Sequence, residues 1–326
     1  MYFSGSDVGM IENVTATKLR TGLLEYNPHI FSIVPKVYDL MAQKMKEAIR
    51  EKGVAVSTII KVLLALSGFA RKHLNIRVGR YMFGSVIKKA FGDNFWGLGT
   101  GASLCSKETT KFFLNLGFEW ANFYALTETN VPTVSTGVFD RYPIEGVGRI
   151  DRYDEIKVKI HAPDEKGIGE IRVKTVLIMK GYFRDPELTA AAFDEDGYFK
   201  TGDLGYIDKK NYLHVTGRLK EAIVLHTGKK VAPFDVEALY GKLLPEINMA
   251  CVGVPARGGQ FDEIHLFIED VSEDKRQEIK QAIMNFSGET STIYQIAKIH
   301  FIDKLPITSV GKVKRFVLKE IAQNER

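Results

Sequence analysis

Residues 181–233 read GYFRDPELTAAAFDEDGYFKTGDLGYIDKKNYLHVTGRLKEAIVLHTGKKVAP, and this run decides the architecture. Two turn signals, Asp194-Glu-Asp-Gly197 and Asp208-Lys-Lys-Asn211, cut it into short strands. Asp, Asn and Gly serve there because they tolerate or stabilise tight backbone reversals. Between the turns lies Thr201-Gly202-Asp203-Leu204-Gly205. A carboxylate flanked by glycines lets a ligand approach the backbone closely, and it accepts two hydrogen bonds from vicinal hydroxyls such as those of ribose. A plain Asp-containing turn has the same residues. Further on, Gly217-Arg218-Leu219-Lys220-Glu221 closes the β-rich part. The planar fork of Arg218 suits phosphate or ribose oxygens. Lys220 stands where the composition changes, which suits a hinge residue absorbing backbone rotation. A charged interdomain linker reads the same way.

Upstream of this run, Ile156, Val158 and Ile160 alternate with Lys157 and Lys159, and Glu170–Lys174 follows as a second strand. Earlier still comes Asn122-Phe123-Tyr124-Ala125-Leu126-Thr127-Glu128. An aromatic ring, a hydroxyl and a carboxylate this close together can stack a flat base, bond a phosphate and hold Mg²⁺ through oxygen. The alternative is an ordinary strand-to-loop junction. Toward the N-terminus, the β-type run His29–Val34 meets Pro35. The helix expected after it carries Val37, Leu40, Met41, Met45 and Ile49 on one face and is capped near Gly53. A second helical region is expected from Ser57 to Lys72.

Downstream, the pattern predicts a strand at Ala222–Leu225, a helix from Pro233, strands at Ala250–Val254 and Ile264–Glu269, and a helix over Glu273–Met284. A boundary therefore falls near Gly217–Glu221, with a small α+β domain beyond it. Close to the C-terminus, Pro306-Ile-Thr308-Ser-Val-Gly311-Lys312 puts a lysine on a short loop. There it can act as a point charge on phosphate or be ordinary solvated surface.

Composition narrows the classes. With 326 residues, 45% hydrophobic and 26% charged, the chain has enough apolar surface to offset chain entropy, which excludes disorder as its main state. A net charge of +5 spread over this length does not imply a nucleic-acid partner. Two cysteines, Cys105 and Cys251, exclude a disulfide scaffold and point to a reducing compartment. The histidines show no metal spacing. The N-terminus has no basic region leading into an apolar core, so no signal peptide is expected. Nor is a membrane span expected: the best apolar run, Val54–Ala70, is interrupted by Lys61 and Ser67-Gly68. A cytoplasmic protein is the natural reading. Residues 54–92 lack any acidic residue but contain Lys61, Arg71, Lys72, Arg77, Arg80, Lys88 and Lys89 among aliphatic residues. That pattern fits peripheral contact with the anionic inner surface of a membrane, or a helical hairpin packed on a missing half of its domain with its basic face in water.

The order of these segments carries more than any one of them. Taken with Gly146-Val-Gly148-Arg149 and Gly169-Glu170-Ile171, the chain resembles the adenylate-forming enzymes, the superfamily of acyl- and aryl-CoA synthetases, nonribosomal adenylation domains and firefly luciferase. The stretch YFSGSDVGMIENVTATKLRTGLLEYNPHIFSIVPKVYDLM (2–41), with the turn Thr100-Gly101-Ala102-Ser103-Leu104, is most similar to long-chain fatty acyl-CoA synthetases.

The resemblance implies an α/β fold: the C-terminal part of a large AMP-binding domain (1–219), with a β-rich subdomain at about 141–218, followed by a small mobile α+β domain (220–326). It implies ATP-dependent activation of a long-chain fatty acid through acyl-AMP and transfer to CoA, with Mg²⁺. It further implies that Tyr124 stacks on adenine, Thr127 contacts the α-phosphate and Glu128 holds Mg²⁺. Asp203 is implied to bind the ribose hydroxyls, Arg218 ribose or phosphate, and Gly101 and Ala102 to line the acyl and nucleotide pocket. Lys312 is implied to neutralise the adenylation transition state, Lys220 to be the hinge, and His226–Lys230 to lie along the CoA path.

Some positions depart from the family pattern. Ala125 stands where glycine is usual, Ser103 where proline is frequent, and no phosphate loop rich in Ser, Thr and Gly is present. The chain is therefore expected to be part of a longer enzyme and poorly active in adenylation alone. Another acid or a carrier-protein acceptor, and a non-catalytic nucleotide-binding remnant, stay open as alternatives.

Overall fold

A computed structural model of the chain describes residues 7, 9–11, 15–101, 105–136, 144, 146–151, 154–244, 247–308 and 312–325. Backbone contacts divide it into two compact units, Met1–Lys157 with Thr175–Lys180 and Asp208–Leu213, and Val158–Lys174 with Gly181–Ile207 and His214–Arg326.

The first unit is built on a four-stranded sheet of β1 (Ile30–Ser32), β2 (Gly97–Thr100), β3 (Glu119–Leu126) and β4 (Asn130–Thr136), in that order. The first three strands are parallel, and β4 returns antiparallel. Helices α1 (Ala16–Tyr26), α2 (Pro35–Glu51), α3 (Val54–Phe69), α4 (Gly79–Phe91) and α5 (Lys107–Leu116) accompany it. Pro35 begins α2, where its missing N–H costs nothing, and Val37, Met41, Met45 and Ile49 pack toward the core as the spacing predicts, whereas Leu40, expected on the same face, is exposed. Ser106 caps α5 by accepting from the Thr109 backbone N–H at 3.2 Å. Gly117 ends α5 in the left-handed region at φ 101°, pressed against the Arg80 backbone where no Cβ would fit.

The core of this unit is aromatic. Tyr38, Phe95, Phe113 and Trp120 are fully buried, and Tyr38 lies 5.0 Å from Trp120 between ring centroids. The Tyr38 hydroxyl donates toward the carbonyls of Phe31 (2.7 Å) and Gly99 (3.0 Å), which fastens α2 to β1 and β2. Glycines at 97 and 99 matter for the same reason: a Cβ at Gly99 would strike Ser32 and Phe123 on either side. A short β5 (Gly148–Arg149) runs antiparallel to Tyr212 and Leu213.

The helical region expected over Ser57–Lys72 forms, with Lys61 and Ser67-Gly68 inside it. The helix continues past Phe69 through a wider turn to Leu74, giving 21 residues long and apolar enough to cross a membrane by length and composition. Neither a lone lysine nor a Ser-Gly pair removes a backbone donor, so the helical hydrogen-bond ladder persists. Ser67 turns inward and is buried.

In the second unit, β6 (Ile156–His161), β7 (Gly169–Thr175), β8 (Phe199–Ile207) and β9 (Tyr212–Arg218) lie in the order β9-β8-β7-β6, with the short α6 (Pro186–Ala191) between β7 and β8 in the chain. Next come the two-stranded ribbon β10 (Ile223–Val224) and β11 (Lys230–Val231), and α7 (Pro233–Leu243). A three-stranded sheet β12 (Met249–Pro255), β13 (Asp262–Glu269) and β14 (Lys298–Ile302) follows, with α8 (Glu273–Glu289) and α9 (Arg315–Asn324). The residues from Ile223 onward own two apolar clusters, one around Tyr240, Leu266 and Ile283, the other around Phe267 and Leu318.

Candidate functional site

In the first unit, β3 delivers the aromatic–hydroxyl–carboxylate group. Alternation along the strand puts Trp120, Asn122 and Tyr124 on its buried face. Asn122 is tied on both sides: its Oδ1 accepts from the Trp120 indole at 2.8 Å, and its amide donates to the carbonyls of Ile144 and Gly146, both at 3.2 Å. Tyr124 is therefore held by a fixed neighbour. The β3–β4 register then slips: Tyr124 faces Thr133 but Leu126 faces Asn130, so two residues of β4, Val131 and Pro132, stand opposite the exposed Ala125. A bulge re-aims the residues that follow it. Thr127 is exposed, Glu128 half-buried and Thr129 buried, and Asn130 closes the turn at φ 57°. The Glu128 carbonyl accepts from the Met179 N–H at 2.7 Å, which anchors the turn's backbone. Gly101 follows β2, where a Cβ would lie 3.3 Å from the Phe123 carbonyl. Ala102 and Ser103 lie outside the described residues.

In the second unit, the Thr-Gly-Asp run of β8 sits opposite a register shift between Glu170 and Arg172 on β7. Gly202 adopts φ 68°, and its N–H donates to Glu170 Oε1 at 3.3 Å. The Thr201 hydroxyl donates to the Ile171 carbonyl (2.6 Å) and accepts from the Asp203 N–H (3.1 Å). Held this way, Asp203 is buried and its Oδ1 lies 3.1 Å from Arg218 Nε. The Arg218 side chain is 54% exposed, so the pair opens to solvent on the arginine side. Behind it runs a chain of alternating charges. Glu170 meets Arg172 at 2.9 Å, Arg172 meets Asp194 at 3.0 Å, and Asp194 meets Lys159 at 3.0 Å. Burial works against the Asp194 charge, but the Tyr198 N–H, Lys159 and Arg172 hold its carboxyl well below the usual range.

Lys220 is exposed in a single tight turn, Leu219–Glu221, that follows Arg218 directly. The loop His226–Lys230 is the exposed reversal leading into β11, closed by Leu225 N–H to the Lys229 carbonyl (2.9 Å) with Gly228 at φ 74°. Lys312 is exposed on a small reversal before α9. There the Thr308 N–H donates to the Lys312 carbonyl (2.7 Å), and the Lys312 N–H donates to the Thr308 hydroxyl (3.1 Å).

Tyr124, Thr127, Glu128 and Gly101 thus gather in one unit. Asp203, Arg218 and Lys220 gather in the other, with Lys312 on a reversal of its own.

Sequence reasoning missed Arg315. Its guanidinium binds Glu237 through both carboxylate oxygens (2.7 and 2.9 Å) and Glu221 at 3.1 Å. One residue thereby ties the turn at Lys220 to the start of α9, just after Lys312. Burial opposes the charge of Arg315, but the two carboxylates outweigh it and raise its pKa. A signal existed, an arginine three residues past a Gly-Lys pair, but its partners lie too far away in sequence to be paired by reading.

Among the described residues no group of three or more His, Cys, Asp or Glu could hold a metal. Glu128 offers a single carboxylate, which fits an Mg²⁺ held mainly by substrate phosphates and water.

A family model described as AMP-binding enzyme matches residues 1–183. Among curated proteins, the long-chain-fatty-acid–CoA ligase ACSBG2 of Gallus gallus is 32% identical over 242 residues, covering 70% of this chain and 31% of that protein. The human ligase ACSBG1 is 30% identical over 241 residues, covering 70% and 32%. The chain thus spans about a third of the length of these relatives. Among solved structures, ATP-bound MatB from Rhodopseudomonas palustris superposes with a TM-score of 0.69 at 22% identity, over 96% of this chain and 54% of that one. The anthranilate–CoA ligase AuaEII with anthranoyl-AMP gives 0.64 at 18% identity, over 94% and 52%. These likenesses establish the mixed α/β fold of the adenylate-forming enzymes, as the resemblance implied.

Proposed function

Because the chain belongs to the AMP-binding enzyme family, we propose that it forms the nucleotide-holding and acyl-transfer part of an ATP-dependent long-chain fatty acid–CoA ligase. The reaction has two halves. A carboxylate oxygen attacks the α-phosphorus of ATP, and the bond to pyrophosphate breaks. The CoA sulfur then attacks the acyl carbon, and AMP leaves with the bonding electrons. Negative charge grows on the phosphate in the first half, so fixed cations near it supply most of the stabilisation.

The observation that carries the reading is the Asp203–Arg218 pair. Asp203 is buried and pre-positioned by Thr201, and its partner arginine faces solvent. A carboxylate so placed accepts hydrogen bonds from two vicinal hydroxyls without reorganising, and the guanidinium adds donors to ribose or phosphate oxygen. In this reading Tyr124 stacks on adenine and Thr127 donates to the α-phosphate. Glu128 supplies the carboxylate for Mg²⁺, which when bound neutralises phosphate charge. Gly101 keeps the wall beside Phe123 low enough for substrate, and Ala102 is assigned with it to the acyl and nucleotide pocket. Lys312 neutralises the adenylation transition state. Lys220 is the point about which the C-terminal part (220–326) turns between the half-reactions, bringing 226–230 to the pantetheine arm of CoA. The fatty-acid substrate is carried by the relatives at about 30% identity.

Calorimetry with AMP, 2′-deoxy-AMP and 3′-deoxy-AMP tests this. The wild-type chain is expected to bind AMP about tenfold more tightly than either deoxy analogue, and Asp203→Asn to remove that difference. No discrimination between AMP and its deoxy analogues, or discrimination that survives Asp203→Asn, would overturn the role of Asp203.

A further inference from the structure

The helix from Val54 to Leu74 divides its residues sharply. Ser57, Ile60, Leu63, Leu64 and Ser67 face the body of the first unit: the two serines are buried and the aliphatic side chains pack on its aromatic core. At positions three and four apart on the opposite side, Ile59, Val62, Leu66 and Phe69 form an apolar stripe, each more than half exposed. Only 11% of the helix's apolar window is buried. Ile76 is half exposed and Tyr81 almost wholly so at 90%, which extends apolar surface beyond the helix. Isolated exposed aliphatics are ordinary on a protein, but a continuous stripe of this length marks an interaction site.

Charge identifies the partner. On the helix, Lys61 and Lys72 are eleven positions apart, about three full turns, so they project from the same flank of the stripe. Arg77, Arg80, Lys88 and Lys89 follow, with no acidic residue between 54 and 92. Arg77 is paired with Glu119 of β3, and Lys88 lies 3.3 Å from Asp93. Lys61, Lys72 and Lys89 form no ion pair among the described residues. A second copy of this chain docking through the same patch would bring like charges together, which an isologous interface cannot avoid. A surface of anionic lipid meets both features, taking the apolar stripe at the acyl boundary and the lysines at the phosphates.

We propose that the face formed by Ile59, Val62, Leu66 and Phe69, flanked by Lys61 and Lys72, docks on the surface of an anionic lipid bilayer. The helix lies on the membrane. Spanning it would require tearing Ile60, Leu63, Leu64 and Ser67 from the core they pack against. This inference is independent of the reaction proposed above.

Flotation of the full chain with phosphatidylcholine vesicles, with and without phosphatidylglycerol, tests it at low and high salt. Association is expected with the anionic vesicles only and is expected to weaken as salt rises. The double variant Lys61→Glu/Lys72→Glu is expected to lower it at least about tenfold. Leu66→Ser/Phe69→Ser is expected to lower it about as much while leaving circular dichroism unchanged, since both side chains are exposed. Three results would overturn the proposal: no association with anionic vesicles, equal association with neutral ones, or a concentration-dependent dimer by sedimentation that Leu66→Ser/Phe69→Ser dissolves.

Discussion

The strands around Asp203 and the helix at Val54–Leu74 handle charge in opposite ways. From Lys159 through Asp194, Arg172 and Glu170, each charge meets an opposite one at about 3 Å, and Asp203 closes on Arg218 in the same manner. Along residues 54–92 the charges have one sign, and apolar side chains stand in water beside them. A network that satisfies itself fixes side chains in place, which is what recognising a small polar ligand requires. A one-signed surface with exposed apolar groups leaves Lys61, Lys72 and Lys89 without an ion pair among the described residues, and what it does depends on what it meets.

The comparison can be broken hardest at Arg315, which extends the satisfied pattern into the C-terminal part. Arg315→Met removes the cation between Glu221 and Glu237 and leaves the half-buried Glu237 without its counter-charge. The expected loss is about 3 kcal/mol of stability, read from urea unfolding. Adding Glu237→Gln should return part of it, because the stranded charge is gone. A loss below about 0.5 kcal/mol would mean the triad is a surface contact of little worth. Next in size, Trp120→Phe should cost about 1 to 2 kcal/mol. It empties part of a fully buried site and leaves the Asn122 carbonyl without its indole donor.

Much of this was legible in the sequence, and the rest was hidden for definite reasons. Pro35, Pro233, the Asp-rich turns, the alternating strand 156–160 and the strands 250–254 and 264–269 announced elements that the structure contains, because their signals are local. The Asp203–Arg218 contact was not legible, since it depends on which strands pair and in what register. Arg315 was invisible because Glu221 and Glu237 lie 94 and 78 residues away. The β3–β4 bulge, with Val131 and Pro132 opposite Ala125, depends on the pairing register, which no single residue signals. The helix through Lys61 and Ser67-Gly68 was legible over Ser57–Lys72, because neither a lysine nor a Ser-Gly pair removes a backbone donor; its extra turns at 54–56 and 73–74 were not.

A smaller effect comes from pH. His300 is buried between His265 (3.0 Å) and Glu325 (2.7 Å), and burial lowers its pKa although Glu325 opposes the shift. A histidine whose pKa is lower folded than unfolded binds fewer protons in the native state. Its contribution to stability is therefore present above the unfolded value near 6.5 and is lost as pH falls through the depressed one. The urea midpoint should fall between about pH 7 and pH 5, and more steeply than in His300→Gln. Equal slopes would remove His300 from the account. Smallest of all, Ile59→Ser should change stability by less than about 0.5 kcal/mol, because the side chain is already in water. A larger loss would show that the stripe is covered within the chain.

The most direct test of the central claim, that the Asp203–Arg218 pair holds the nucleotide end of an acyl adenylate, is thioester formation from preformed long-chain acyl-AMP and CoA. The account predicts that this chain accelerates the reaction over the uncatalysed rate. It also predicts that Asp203→Asn removes most of the acceleration, whereas Lys312→Ala, altering a residue assigned to the other half-reaction, leaves it largely intact. A rate equal to the uncatalysed one, or an acceleration untouched by Asp203→Asn, would contradict it.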